Sequence, residues 1–527
     1  MINMYITKSL FVEFCSSPKL ARWHINNKDT YKSIQEDKYW AMDGVTIGQT
    51  VEDMVLECFP GKEITEIDTE NMRSNRHQTY HDRTMKALES DPEILYQPSF
   101  LIDDLFVKCD ILVRNDIWTY DLIEVKAKNG IRKTTKAEPL LDDLIADVSI
   151  QRLVLKRVLK EKFSGKCFLA YLDKTYEKQG SIDPKDIIIQ EEISSELLED
   201  ANIETILTAI REKISLSEEE FNTQYPYDGS DYLTYFGVQP PKQSIWSISW
   251  CSAKKKVEFY NNNKFQLDDL HKVDIEYLKK ANWESSKSSQ FLELRKQWPQ
   301  SIDTSEVWSK LNSLQFPLYF YDYETISRPK PIFNWTKPWQ QVVVQYSLHK
   351  MEKDGTITHY EWLLEDGSFS SRRSIPGETD TNKKLLDQMI DHMDGVWQGT
   401  RIVWNQGFEN ARNNERWKQF PEYADALKRI NDATFDLMEI FKKQLFFHRD
   451  FEWSASIKKV LPVLTEISYD NLEVPNGWIA SNLLRLMMMW EVDDRGVDKI
   501  HADLLEYCKQ DTWAMVRIYQ EILKALS

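Results

Sequence analysis

The feature that most restricts how this chain folds is the run Pro317–Thr325, where Asp322 and Glu324 interrupt residues that are otherwise apolar or aromatic. Successive strand residues point to opposite faces, so the two acids share one face. A buried acid without a cation or donor is costly. An acid pair in this setting therefore calls for a divalent cation held by oxygen ligands. Spacing alone is weak, because Asp68-Thr69-Glu70 and Asp91-Pro92-Glu93 repeat it. The apolar context sets the 322/324 pair apart.

At 527 residues the chain exceeds one ordinary core, and it separates into three sections. In residues 1–224, helical spacing covers Ile47–Phe59, Arg76–Leu88 and Ser149–Lys162. Extended runs cover Ile94–Leu101, Phe106–Arg114, Trp118–Val125 and Gly165–Leu172, with a turn at Asn115-Asp116. Residues 225–315 carry short aromatic strands, Ser244–Trp250 and Lys256–Tyr260, then a charged helical stretch; they form a connector or small packing domain. In residues 316–527, strands are expected at Pro317–Thr325, Gln341–Lys350, His359–Leu364 and Arg401–Trp404. Helices are expected at Thr381–Met393, from Phe408, and from near Ala502.

Composition closes several alternatives. With 42% hydrophobic and 29% charged residues the chain is globular. A net charge of −17 argues against a surface that coats polyanions generally, yet allows a local basic lining. Six scattered cysteines without a CxxC pair support neither a zinc ribbon, an iron–sulfur cluster nor a disulfide scaffold. Leu483–Trp490 is far short of the ~20 apolar residues that span a bilayer, and no export signal opens the chain, so a cytoplasmic protein without membrane partners is expected. His77 and His81 have a zinc-compatible spacing but no third ligand, which reads as a surface helix.

Two further constellations carry chemistry. Phe106–Lys128 reads FVKCDILVRNDIWTYDLIEVKAK. Pairing its strands across the turn brings Asp110 near Glu124 and Lys126. The acids then hold Mg²⁺ or Mn²⁺, and the lysine positions water or stabilises charge on phosphate. The basic stretch Lys126–Lys136 that follows is either a solvated loop or a phosphate-contacting edge. Downstream, Asn405 precedes Glu409 at a strand-to-helix junction, and Tyr507 and Asp511 lie four apart on one helical face.

The C-terminal set resembles the DEDD exonucleases of the ribonuclease H-like fold, in the branch with a tyrosine in its third motif. Asp322 and Glu324 match the first motif, Asn405 and Glu409 the second (with Glu409 in place of the usual Asp), and Tyr507 and Asp511 the third. Thr434-Phe435-Asp436-Leu437 resembles the Asp-containing stretch between the last two. Residues Ser454–Pro462 also resemble the signature of an uncharacterised bacterial family fused behind RecB-type nuclease modules. The resemblance implies a 3′–5′ exonuclease site with Mg²⁺ or Mn²⁺ held by Asp322, Glu324, Glu409 and Asp511, and with Tyr507 orienting water.

The N-terminal section resembles PD-(D/E)XK nucleases of RecB type, particularly those associated with CRISPR adaptation, without their iron–sulfur cysteines. Tyr5–Leu10 through Ser17–Leu20 resembles the family's opening helix, and Gln151 its substrate-side glutamine. Leu155 stands where the family has tyrosine, and Glu52, where it often has histidine, is an additional metal ligand. Together these resemblances imply an α/β protein with a PD-(D/E)XK restriction-endonuclease-like domain (1–224) and a ribonuclease H-like domain (316–527). The implied function is metal-dependent hydrolysis of phosphodiester bonds, with nucleic acid as partner (DNA ahead of RNA) and defence or repair proteins as associates. The alternative from a different class is a non-catalytic nucleic-acid-binding or scaffold subunit.

Overall fold

The computed structural model describes residues 5–27, 38–67, 76–132, 142–198, 200–229, 244–247, 251–271, 274, 300–364, 380–452, 454–488 and 494–527. It is a mixed α/β protein of two compact units. The first comprises residues 1–238 with 328–331 and 337–339; the second comprises 239–327, 332–336 and 340–527. No helix among the described residues is long and apolar enough to cross a membrane.

In the first unit a six-stranded sheet runs in the order Ile64–Glu66, Ile94–Tyr96, Ile111–Arg114, Tyr120–Lys126, Phe163–Leu172, Ile188–Glu192. The hairpin at its centre is antiparallel, pairing Ile111 with Ile123 and Arg114 with Tyr120. Asn115 builds its turn: the side-chain oxygen accepts from the amides of Ile117 and Thr119, and the amide donates to Asp121. Such Asx geometry is a standard turn former. Helix Asp142–Leu159 packs along the sheet with Val148, Ile150, Val154 and Leu155 fully buried.

The first two expected extended runs each break in two, at Gln97-Pro98 and at Cys109-Asp110, giving separate strands that feed a second, three-stranded sheet. Proline supplies no ladder donor, which accounts for the first break. The expected opening helix is likewise two, Lys8–Ser16 and Pro18–Asn26. Ser17 caps the second by accepting from the Leu20 amide, with Pro18 at the first helical position.

The second unit is organised on a five-stranded sheet ordered Ile357–Leu363, Val342–Met351, Leu318–Ile326, Thr400–Val403, Thr434–Asp436. The first three strands are antiparallel and the last two join in parallel. On the central strand, Leu318, Phe320 and Ile326 pack into the core that includes Leu504, Tyr507 and Met515 of the long helix Asp494–Leu526. Tyr319, Tyr321 and Tyr323 face the other way, toward Leu385 and Met389 of helix Asp380–His392. Asp322 and Glu324 therefore belong to the face covered by the long helix.

Gly399 (φ +85°) leads into Thr400–Val403, and a Cβ there would collide with the Pro317 carbonyl and the Tyr319 ring. Gly399→Ala is expected to destabilise the protein by about 2–4 kcal/mol in a denaturant titration. An unchanged midpoint would mean that this junction relaxes freely.

Two expectations about this unit's elements are corrected. Lys256–Tyr260 lies in a helix, Ala253–Asn261. Ser252 caps it, and Lys255 and Phe259 bury one face at helical spacing. The last helix begins at Asp494, well before Ala502. Within Ser244–Trp250, Ser244 makes a single bridge to Gln266 and Ile245–Ser247 is a 3₁₀ turn, while 248–250 lie outside the described residues. So do most of the charged helical stretch and 133–136 of the basic segment. Of that segment's described part, Lys128 pairs with Asp143 and Arg132 with Glu191. His77 packs on Tyr5 and Phe106, and His81 accepts from the Leu101 amide.

Candidate functional site

The second unit holds a cleft of about 230 Å³ lined by Asp322, Glu324, Asn405, Glu409, Lys458, Tyr507 and Asp511, among others. Each comes from a defined element. Asp322 and Glu324 sit opposite Ser347 and Gln345 across the antiparallel pair, with an irregular register immediately after Glu324. Glu409 lies in the first turn of helix Gln406–Gln419, whose N-cap is Asn405. Asp436, at the end of its strand, accepts from the amides of Gln406 and Met438. It thereby anchors the helix that presents Glu409. Tyr507 and Asp511 project from the same face of Asp494–Leu526.

The electrostatics are those of acids short of counter-charge. Burial, then Asp511, Glu409 and Glu324, push the Asp322 carboxyl well above the carboxylate range. Burial and Asp511 do the same to Glu324. Burial lifts Glu409 to about 8 and Asp511 to about 6; Tyr469, Lys458 and Tyr507 restrain the latter. Asp322 and Glu409 lie close enough to act on each other's protons, and the Glu409 Oε2 is buried and receives no donor among the described residues. An unsatisfied buried carboxylate oxygen is expensive unless something binds it. The all-oxygen donor set fits a hard divalent cation such as Mg²⁺ or Mn²⁺.

Two side chains that the sequence did not single out act on these acids: Lys458, which lines the cleft, and Tyr469, which bonds Asp511. Lys458 donates to the Pro475 carbonyl at 2.6 Å and lies 5.1 and 5.3 Å from the ring centres of Tyr469 and Tyr507. Burial lowers its pKa, against the pull of Asp511, Glu324 and Asp322. Tyr469 donates to Asp511 Oδ1 at 2.6 Å. Tyr469→Phe is expected to cost about 1.5–3 kcal/mol, the worth of a hydrogen bond to a charged group. Thermal and denaturant unfolding would show it, and a neutral result would mean that Asp511 holds its place without the phenol.

In the first unit the structure brings Asp110, Glu124, Lys126 and Gln151 together. Asp110 Oδ2 accepts from the Val125 amide at 2.7 Å. Glu124, 1% exposed, accepts from Lys126 at 2.7 Å and from Gln151 at 2.8 Å. Glu52 is held by Tyr96 and Gln97 and raises the Asp110 carboxyl electrostatically, after burial and Glu124. Two unpredicted residues join. Lys8 donates to Glu124 at 3.0 Å and lies 3.2 Å from Asp147, and Asp147 accepts from Lys126 at 2.6 Å. Asp147 precedes Gln151 by one helical turn, a spacing visible in the sequence. Lys8 left no such mark.

Two ammonium groups, Lys8 and Lys126, reach these acids, against one, Lys458, in the other cleft. Burial pushes the Glu124 carboxyl up, but the charges of Lys8 and Lys126 and the hydrogen bonds from Lys126 and Gln151 pull it well below the carboxylate range. Lys126 is raised despite burial, through Glu124 and Asp147. The oxygens of Asp110, Glu124 and Glu52 suit the same hard cations, and a cation at Glu124 would share that carboxylate with two ammonium groups.

A domain of unknown function, DUF2779, matches residues 319–456. That stretch holds Asp322, Glu324 and Glu409. Among curated proteins, the chain is similar to an uncharacterized protein, MG366, of Mycoplasma genitalium, with 28% identity over 236 residues, 41% of this chain and 34% of that protein. It is also similar to the MG366 homolog of Mycoplasma pneumoniae, with 25% identity over 297 residues, 52% of this chain and 43% of that protein. The chain thus spans less than half the length of these relatives. No solved structure matches it significantly.

Proposed function

We propose that the chain is a metal-dependent nuclease, with a DEDD-type exonuclease site in the second unit and a RecB-type PD-(D/E)XK site in the first. One observation carries the reading: four carboxylates from a strand and two helices line one cleft, Glu324, Glu409 and Asp511 buried and Asp322 partly exposed, and one of their oxygens, Glu409 Oε2, has no partner among the described residues. Asp322, Glu324, Glu409 and Asp511 would hold Mg²⁺ or Mn²⁺. Bound there, the cations supply a water activated at neutral pH and charge stabilisation for the leaving oxygen.

The chain's own groups do the rest. Tyr507 and Lys458 border the carboxylates, and the phenol is suited to orienting a water. Lys458 offers positive charge to a phosphate oxygen. Asn405 sets the start of the helix that carries Glu409. In the first unit, Lys126 bonds both Glu124 and Asp147 and is placed to stabilise charge on a phosphate, while Gln151 orients the Glu124 carboxylate.

The test is incubation of end-labelled single- and double-stranded DNA and RNA with Mg²⁺, Mn²⁺ or chelator. Metal-dependent shortening from 3′ ends supports the exonuclease site. Binding without cleavage by any substrate, with either metal, would instead favour the scaffold reading.

A further inference from the structure

Beside the acid pair lies a group of a different chemical kind. Ligand atoms of Asp322, Glu324 and Cys508 all lie within 4.8 Å of one another. Cys508 is fully buried on the helix turn between Tyr507 and Asp511. Two further observations point to a ligand at this place. Glu409, 2% exposed, lines the cleft that Asp322 and Glu324 line, and its buried Oε2 receives no donor among the described residues. Gln345, paired across the strands with Glu324, donates to the Leu504 carbonyl one turn before Cys508, and its own side-chain oxygen is buried without a partner.

We propose that Cys508, Asp322 and Glu324 form a thiolate-containing site for a borderline-soft divalent cation, Zn²⁺ or Cd²⁺. This site shares two acids with the proposed nuclease cleft but does not rest on that reading. Oxygen donors alone suit Mg²⁺ and Mn²⁺, whereas a sulfur ligand shifts preference toward Zn²⁺. Zinc bonds of about 2.0–2.3 Å to carboxylate oxygen and cysteine sulfur need only small side-chain movements from the spacing observed. As the metal–sulfur bond forms, the thiol proton passes to solvent. Because Asp322 and Glu324 cannot serve both cations in full, Zn²⁺ and Mn²⁺ compete for the cleft.

The test uses the full chain with Cys15 and Cys58, the less buried thiols, replaced by serine. Titration with Cd²⁺ should give a sulfur-to-metal charge-transfer band in the near ultraviolet. The band should be lost in Cys508→Ser and in Cys508→Ala, and weakened in Glu324→Gln, with excess Zn²⁺ displacing it. X-ray absorption at the zinc edge of the otherwise unaltered protein should show one sulfur among oxygen neighbours, a measurement that does not depend on any variant folding. No band, a band that survives both Cys508 replacements, or a shell without sulfur would overturn the proposal. None of these readouts involves cleavage, so the site and the nuclease reading can fail separately.

Discussion

Asp322→Asn is expected to reduce Mn²⁺-dependent release of 3′ end label by at least about 10²-fold, the scale of losing one transition-state-stabilising group, while leaving the metal-free protein as stable as before or more so. Both halves follow from the same environment. Asp322 is crowded by Asp511, Glu409 and Glu324 in a buried cleft, and its carboxyl is pushed well up. The asparagine removes one of the competing charges, and its amide can still donate to Glu409. A gain of about 0.5–2 kcal/mol is the usual scale when a functional site is relieved of such strain.

The same reasoning fixes the pH dependence. Glu409 at about 8 and Asp511 at about 6 lie above their ordinary values, so at these two groups the folded chain holds protons that the unfolded one has released. The contribution of this cleft to metal-free stability should therefore fall as pH rises through the carboxylate range toward about 8, and Mn²⁺ should restore it at the upper end. Thermal unfolding across that range, with chelator and with Mn²⁺, measures the effect. A flat metal-free profile, or label release unchanged by Asp322→Asn, would show that the cleft is not a metal-dependent active site.

The opposite stability sign is expected in the first unit. Glu124→Ala removes the acceptor shared by Lys8, Lys126 and Gln151. Both lysines then keep Asp147, and Lys8 also Asp110, in a largely buried setting. Breaking a buried ion pair from one side costs about 3–5 kcal/mol. Here the Glu124 carboxyl is depressed, so its contribution is present at neutral pH and disappears as pH falls below the carboxylate range. The midpoint of denaturant unfolding should drop accordingly at pH 7, and the loss should shrink in acid. In an Asp322→Asn background, Glu124→Ala should also remove whatever nuclease activity remains. Glu124→Gln, which keeps the shape, should cost less stability while still removing that activity. Equal stability of Glu124→Ala and the parent protein would mean that the lysines are held by other partners.

These two acids were both visible as chemistry before the fold was known, yet nothing in their spacing distinguished their surroundings. Asp322 and Glu324 are marked by interrupting an apolar strand, and Glu124 by following a turn in a hairpin. What separates them is which cations reach them. Lys8 bonds Glu124 from 116 residues away, while Lys458 is the ammonium acting on Glu324 and Asp511 across the second cleft. A single lysine in a helix leaves no periodic signal, so neither could be read as a partner.

Local geometry was legible wherever a period or a turn imposed it. The two-residue repeat put Asp322 and Glu324 on one face, the four-residue helical spacing aligned Tyr507 with Asp511, and Asn115 announced its hairpin. Lys256–Tyr260 misled, because alternating bulky residues in a short segment satisfy both strand and helix patterns, and the cap at Ser252 decides between them. From the sequence alone came the strand, the helix faces and the acids that each presents. Only the tertiary structure decided that Tyr469, 42 residues before Asp511, donates to it, that Asp147 and Lys8 close the Glu124 network, and that Cys508 stands beside the acid pair. The physical reason is that such contacts depend on how elements pack. Packing is set by the summed burial of many apolar side chains, whereas a lone tyrosine, lysine or cysteine contributes too little to that sum to reveal where it will lie.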